Sequence, residues 1–100
     1  MTTTQSRDAI LGTLQRHSED LRRLGVRRLG LFGSHLHGTA GADSDIDLLV
    51  RFDRASFDDY MDLKFLLEEL FGRKVDLVTE TALKPAVRHV RNEAAYVQGL

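Results

Sequence analysis

The sequence contains no cysteine and no tryptophan, and it has one proline among its 100 residues. Without cysteine, neither a disulfide nor a thiolate metal site can form, and nothing indicates secretion. The N-terminus is polar, and no apolar run resembles a signal peptide or a membrane span. A cytoplasmic location with no membrane contact is therefore the default expectation.

An excess of charge of either sign is also missing. The sequence has 14 Lys and Arg against 15 Asp and Glu, with 42% hydrophobic and 29% charged residues. These fractions are those of an ordinary globular protein, and the length predicts one domain over residues 1–100. Proteins that bind nucleic-acid backbones usually carry a basic excess. Strong nucleic-acid binding by this chain alone is therefore not expected.

Hydrophobic spacing predicts alternating helices and strands along the chain. The predicted elements are, in order, a helix from Ser6 to Gly25, strand Val26–Phe32, strand Ile46–Phe52, a helix from Ser56 to Gly72, strand Lys74–Thr79 and a last helix that opens at Pro85 and includes Val97. This order predicts an α/β (α+β) fold with a small sheet of about three strands packed with helices.

Two carboxylates stand two residues apart at the start of the second predicted strand. Alternation along a strand places Asp45 and Asp47 on one face and Ile46 and Leu48 on the other. At about 6.6 Å, from a rise of roughly 3.3 Å per residue, two like charges repel by about 2.5 kcal/mol at an effective dielectric near 20. A divalent cation removes this repulsion, and magnesium prefers one or two carboxylates plus substrate phosphates. The pair therefore predicts a magnesium site.

A third acid, Asp76, interrupts the last predicted strand between Val75 and Leu77. Acidic residues are disfavoured in mid-strand, so a functional site explains Asp76 if its strand lies beside the second strand. Three converging carboxylates could hold two magnesium ions, which together clamp the attacking and leaving oxygens of a phosphoryl displacement. Asp76 is then a metal ligand and a candidate base for the incoming hydroxyl.

The pair Gly33-Ser34 ends the first predicted strand. A strand that ends in glycine and enters a short helix or turn exposes backbone N–H groups, and the serine adds a hydroxyl donor. We expect this corner to bind the β- and γ-phosphates of a nucleotide. The neighbouring His35 and His37 are expected on the surface. Each motif alone is common, and the specific signal is the conjunction of glycine-serine with three strand acids.

Together, Gly33-Ser34, Asp45-Ile46-Asp47 and Asp76 resemble the minimal nucleotidyltransferase (MNT) domains of the DNA polymerase β superfamily. The resemblance extends over nearly the whole chain, and Val75–Thr79 looks like the subgroup of stand-alone MNT proteins. It implies the nucleotidyltransferase fold, with the three acids as catalytic and metal-binding residues. It also implies that the glycine-serine pair and the first two acids bind the nucleotide. The family commonly has arginine at the position of His37.

Members of that subgroup are typically antitoxins encoded beside a HEPN-domain ribonuclease toxin. The resemblance implies magnesium-dependent transfer of AMP from ATP to a tyrosine of the toxin. Two alternatives stay open: an antitoxin that neutralises its partner by binding alone, and a nucleotidyltransferase that modifies a small molecule such as an aminoglycoside. The intact acids favour the protein adenylyltransferase over pure binding, and the chain length disfavours the aminoglycoside reading.

Overall fold

A computed structural model describes residues 6–41, 44–54, 56–83 and 89–100. The elements are, in chain order, α1 (Arg7–Arg16), α2 (Ser18–Arg23), β1 (Val26–Phe32), α3 (Ser34–His37), β2 (Ile46–Phe52), α4 (Phe57–Phe71), β3 (Val75–Thr79), a 3₁₀ turn (Glu80–Ala82), α5 (His89–Glu93) and β4 (Ala95–Tyr96). Within these ranges, no helix has the length and apolar character needed to cross a membrane.

The four strands form one mixed sheet in the order β3-β2-β1-β4. Strand β1 is antiparallel to both β2 and β4, whereas β2 and β3 are parallel. A parallel pair needs a crossover connection, and α4 supplies it. The mixed sheet with helices confirms the predicted fold class, although the sheet has one strand more than the expected three.

One face of the sheet carries the hydrophobic core. Alternate residues of the strands pack there against helices α1, α2 and α4, and the fully buried members are Ile10, Leu14, Leu21, Leu29, Leu31, Ile46, Leu48, Val50, Leu63, Leu67 and Val75. Because side chains alternate along a strand, the residues between these positions lie on the opposite face. The core therefore fixes the strands and leaves the second face for other side chains.

Helix α4 has the boundaries that the sequence predicts. The Ser56 hydroxyl accepts a hydrogen bond from the Asp59 N–H at 3.0 Å, which caps the first turn. Gly72, with a φ of 62°, ends the helix in the left-handed conformation. The Tyr60 hydroxyl donates to the Leu77 carbonyl at 2.6 Å and so ties α4 to β3.

The predicted first helix is divided in two. Helix α1 ends at Arg16, α2 begins at Ser18, and His17 lies between them. The His17 N–H donates to the Leu14 carbonyl at 3.1 Å, a short-range bond that tightens the end of α1. The break is a single residue, so the helical spacing of apolar side chains continues across it, and the sequence alone predicts one helix.

The prediction of a long last helix is wrong in its second half. Its predicted start at Pro85 lies outside the described residues, and α5 covers only His89–Glu93. Residues Ala95–Tyr96 then form β4 beside β1, and the Val97 N–H donates to the Leu29 carbonyl at 2.8 Å. The hydrogen bonds available at the edge of β1 therefore replace further helical turns.

Candidate active site

The structure brings the three predicted acids to the sheet face opposite the core. Strands β2 and β3 pair in parallel with Asp47 directly opposite Asp76. Asp45 immediately precedes β2 and shares the face of Asp47 by alternation. Asp47 is half-buried, whereas Asp45 and Asp76 are exposed. The condition set by the sequence, that the strand of Asp76 lies beside the strand of Asp47, is met.

The electrostatics of Asp47 show that the three acids interact. Burial raises the pKa of the Asp47 carboxyl above its ordinary value, and the Asp76 and Asp45 carboxylates raise the same pKa further. None of the ion pairs among the described residues involves these acids. The repulsion between them is therefore not compensated by a basic side chain in the described parts of the chain.

Gly33 lies against Asp47 at the end of β1. Its φ of 75° and ψ of −153° belong to a region that only glycine adopts readily. A Cβ atom at this position would overlap the Asp47 carboxylate and lie 2.9 Å from its Cγ. Phe32, the residue before Gly33, pairs with Asp47 across β1 and β2. The glycine is thus needed for both its backbone conformation and the close approach of the acid.

The short helix α3 begins immediately after this glycine. The Gly33 carbonyl accepts hydrogen bonds from the Leu36 and His37 N–H groups, at 3.1 and 3.2 Å. The first N–H groups of a helix have no partner within it, and those of Ser34 and His35 belong to this class. The acid corner therefore lies beside the start of α3, where Gly33-Ser34 is predicted to bind phosphate.

His35 is not on the surface, contrary to the sequence-based expectation, because its side chain is only 2% exposed. The Arg73 Nη1 lies 3.4 Å from the His35 Nε2 and donates to the Ser44 carbonyl at 3.1 Å. Since arginine can only donate, the Nε2 accepts and the ring proton resides on Nδ1. Burial, followed by the Arg73 charge, lowers the pKa of His35, and the proximity of the Asp45 backbone raises it in part. Burial and the Arg73 charge therefore favour the neutral ring.

The contact between Arg73 and His35 connects three parts of the site. Arg73 precedes β3, His35 lies in α3, and Ser44 directly precedes Asp45. The His35 Nδ1 is buried and has no partner of hydrogen-bond geometry among the described residues. The sequence did not predict the contact between Arg73 and His35, because the two residues are 38 positions apart and share no motif. Through His35 and the Ser44 carbonyl, Arg73 holds the Gly33-Ser34 corner and the start of β2 in a fixed relation.

The acids are suited to a magnesium ion whose coordination shell is completed by a bound substrate. In the described part of the chain, no group of three or more His, Cys, Asp or Glu side chains is arranged to hold a metal ion. Magnesium, however, usually takes one or two carboxylates and completes its shell with phosphates and water. The register pair Asp47 and Asp76, next to an anion-binding corner, offers two uncompensated carboxylates of that kind.

Comparison with known proteins is in line with this geometry. A family model described as a nucleotidyltransferase domain matches residues 14–97. The protein adenylyltransferase MntA of Thermococcus cleftensis is 41% identical over 93 residues, which cover 90% of this chain and 94% of that protein. A solved structure described as a candidate minimal nucleotidyltransferase has 35% identity and a TM-score of 0.78, covering 92% of this chain and 96% of that chain.

A more distant match is a structure of tri-AMPylated Shewanella oneidensis HEPN toxin in complex with MNT antitoxin. The TM-score is 0.64 at 19% identity, and the match covers 91% of this chain and 73% of that chain. At this identity the likeness shows a shared fold alone.

Proposed function

Because the chain belongs to the nucleotidyltransferase domain family, as its resemblance to MNT domains predicts, we propose that it is a magnesium-dependent protein adenylyltransferase. In this proposal it transfers AMP from ATP to a tyrosine of a cognate HEPN-domain toxin and so acts as the antitoxin. The identity of 41% to a protein adenylyltransferase supports AMP transfer to a protein. The fold shared with a chain of the complex of HEPN toxin and MNT antitoxin is compatible with this class of partner.

The observation that carries the proposal is the pairing of two acids on adjacent strands, one of which also lies against a glycine. Asp47 lies opposite Asp76 on the sheet face away from the core, and its carboxylate contacts Gly33. Two acids therefore lie at one corner with the turn proposed to bind phosphate, and a nucleoside triphosphate with magnesium needs both kinds of group.

The phosphates are proposed to bind at Gly33-Ser34. Backbone N–H groups at the start of α3 and the Ser34 hydroxyl donate to phosphate oxygens, and the absence of a Cβ at Gly33 leaves room for the Asp47 carboxylate. Asp45 and Asp47 then face the same phosphates from the other side.

Magnesium would be held by Asp45, Asp47 and Asp76. We propose two ions, the number expected from three carboxylates. When bound, magnesium supplies positive charge to the phosphoryl oxygens. It also favours the ionised form of Asp47, whose pKa is raised in the free chain. The chain's own contribution is to hold these carboxylates in register on two adjacent strands.

The proposed reaction is a displacement at the α-phosphorus of ATP. The tyrosine oxygen of the toxin forms a bond to that phosphorus, the bond to the bridging oxygen of the β-phosphate breaks, and pyrophosphate leaves. Asp76, exposed at the edge of the acid pair, accepts the proton of the tyrosine hydroxyl.

The test is label transfer to the HEPN-domain protein encoded beside this chain's gene. ATP labelled at the α-phosphate should label that protein in the presence of magnesium, whereas ATP labelled at the γ-phosphate should not. The variant Asp45→Ala/Asp47→Ala should lose labelling, and Asp20→Asn, on the exposed side of α2, should retain it.

Two results would contradict the proposal. Complete neutralisation of the toxin by Asp45→Ala/Asp47→Ala without labelling would support an antitoxin that acts by binding alone. Transfer of label by the chain alone to an aminoglycoside would support a small-molecule substrate.

A further inference from the structure

Two phenylalanine side chains on α4 project into solvent, although the other side of the helix packs into the core. Phe57 is 76% exposed and Phe65 is 59% exposed. Met61, which is half-buried, lies midway between them, so the three residues follow the spacing i, i+4, i+8 and share one helix face. We call these three side chains the α4 stripe.

The fold does not account for the α4 stripe. Single exposed apolar side chains are ordinary on protein surfaces, but two phenylalanines and a methionine in one row form a continuous apolar strip. Burial of an apolar side chain stabilises a folded protein, and the free chain forgoes that stabilisation at Phe57 and Phe65. Aromatic residues and methionine are also the residues enriched in protein–protein interfaces.

One of the two borders of the α4 stripe is acidic. Helix α4 contains five acidic residues and a single lysine, Lys64. Helical spacing places Asp58, Asp62 and Glu69 together along one side of the stripe, and all three are exposed. The ion pairs found among the described residues include none of them. The surface therefore combines an apolar row with an uncompensated negative edge.

We propose that the α4 stripe docks a partner protein through an apolar groove bordered by lysine and arginine. Charge complementarity selects this partner over a dimer that packs stripe against stripe, because antiparallel packing of two α4 stripes would bring their acidic borders into contact. The inference rests on the proposed function, in which the partner is the protein that receives AMP.

The position of the α4 stripe separates docking from chemistry. Helix α4 packs on the core face of the sheet, whereas Asp47 and Asp76 lie on the other face. A partner held at α4 therefore leaves the acid face free for ATP and for the acceptor segment. Docking also raises the local concentration of that segment at the acids.

The test measures binding of the HEPN-domain protein encoded beside this chain's gene, using the full chain. Phe57→Ser/Phe65→Ser should raise the Kd at least about tenfold, the scale of interface anchor residues. Both positions are exposed, so the melting temperature and circular dichroism should stay close to wild type. The control Gln15→Ser/Glu19→Ser, exposed on α1 and α2, should bind like the wild type.

A charge-reversal variant tests the acidic border separately. Asp58→Lys/Asp62→Lys should weaken binding at low ionic strength, and the difference from wild type should shrink as salt is added. An increase in affinity on charge reversal would overturn the proposed basic border of the partner.

Labelling kinetics distinguish this inference from the proposed function. Phe57→Ser/Phe65→Ser should raise the partner concentration needed for half-maximal labelling about tenfold, with a rate at saturation like that of the wild type. If wild type does not label the partner, the proposed function is wrong, and a tenfold change in Kd would still support docking.

Three outcomes would overturn the docking proposal itself. The first is wild-type labelling combined with an unchanged Kd for Phe57→Ser/Phe65→Ser, and the second is no binding of the partner at all. The third is a wild-type chain that is dimeric by light scattering and becomes monomeric on the double substitution, since a second copy would then cover the stripe.

Discussion

At the scale of single residues, the proposed metal ligand Asp47 is where stability and the proposed function conflict most directly. Its carboxyl is half-buried beside Asp45 and Asp76, and burial and both neighbours raise its pKa. Ionisation of such a group disfavours the folded state at neutral pH. Functional sites are where proteins tolerate a local conflict of this kind.

Replacement of Asp47 by asparagine should therefore stabilise the free chain at pH 7. The folded pKa lies above the unfolded value of about 3.9, so the folded wild type binds more protons and loses stability as pH rises through this window. The gain of Asp47→Asn should be largest above the folded pKa and vanish below about pH 3.9. Calorimetry across this range measures it, with the exposed Asp20→Asn as control. A melting temperature at pH 7 no higher than wild type would contradict the prediction.

Gly33 is the second residue with a specific requirement. Gly33→Ala should cost roughly 1–3 kcal/mol of backbone strain, and it should also displace the Asp47 carboxylate and abolish binding of magnesium with an ATP analogue. Gly38→Ala is the matched control, because Gly38 also has a positive φ of 73° but has no atom within 4 Å of an added Cβ. Titration calorimetry of both variants measures nucleotide affinity. Equal affinities would show that the close approach at Gly33 is unimportant.

At the scale of elements, local signals explain what the sequence could predict. Strands β1 and β2 have the predicted limits, and α4 lies between its predicted cap Ser56 and Gly72. Apolar periodicity, helix caps and terminal glycines each depend on residues a few positions apart, so these signals can be read from a single sequence. The same alternation predicted that Asp47 and Asp76 share a face, given that β2 and β3 are neighbours.

Long-range contacts explain what could not be predicted. Strand β4 has two residues and therefore no periodicity, and it exists because the chain end pairs with β1. A Cβ at Gly30 would lie 2.9 Å from the Tyr96 Cδ1, so this glycine makes room for the ring. The buried His35 likewise contacts Arg73, which lies far along the sequence. Neither contact has a local pattern.

The contacts of Arg73 with His35 and with the Ser44 carbonyl give a third prediction. Arg73→Met should leave the His35 Nε2 and the Ser44 carbonyl without their donor, which costs about 1–3 kcal/mol. Because Ser44 directly precedes Asp45, affinity for magnesium with an ATP analogue should fall as well. The adjacent Lys74→Met, at an exposed position, is the control. Thermal unfolding and titration calorimetry measure both effects, and wild-type values for Arg73→Met would contradict a role in positioning.

At the scale of the whole molecule, the two faces of the sheet differ: one packs into the core, and the other carries the three acids. The core face is covered by helices, and the α4 stripe lies on the outside of that layer. The second face is also covered in part, since Leu49, which shares the face of Asp47, is fully buried and the 3₁₀ turn contacts β2. The acids therefore lie at the open end of a partly covered face, where a nucleotide can enter.

The central claim is that Asp45, Asp47 and Asp76 hold a divalent cation against a triphosphate beside Gly33-Ser34. Crystals grown with manganese and α,β-methylene-ATP test it through anomalous diffraction at the manganese edge. The account predicts a manganese peak within about 2.5 Å of Asp47 oxygens and a phosphate oxygen, with Asp45 or Asp76 in the same coordination shell. A bound nucleotide whose manganese lies away from all three acids would contradict it.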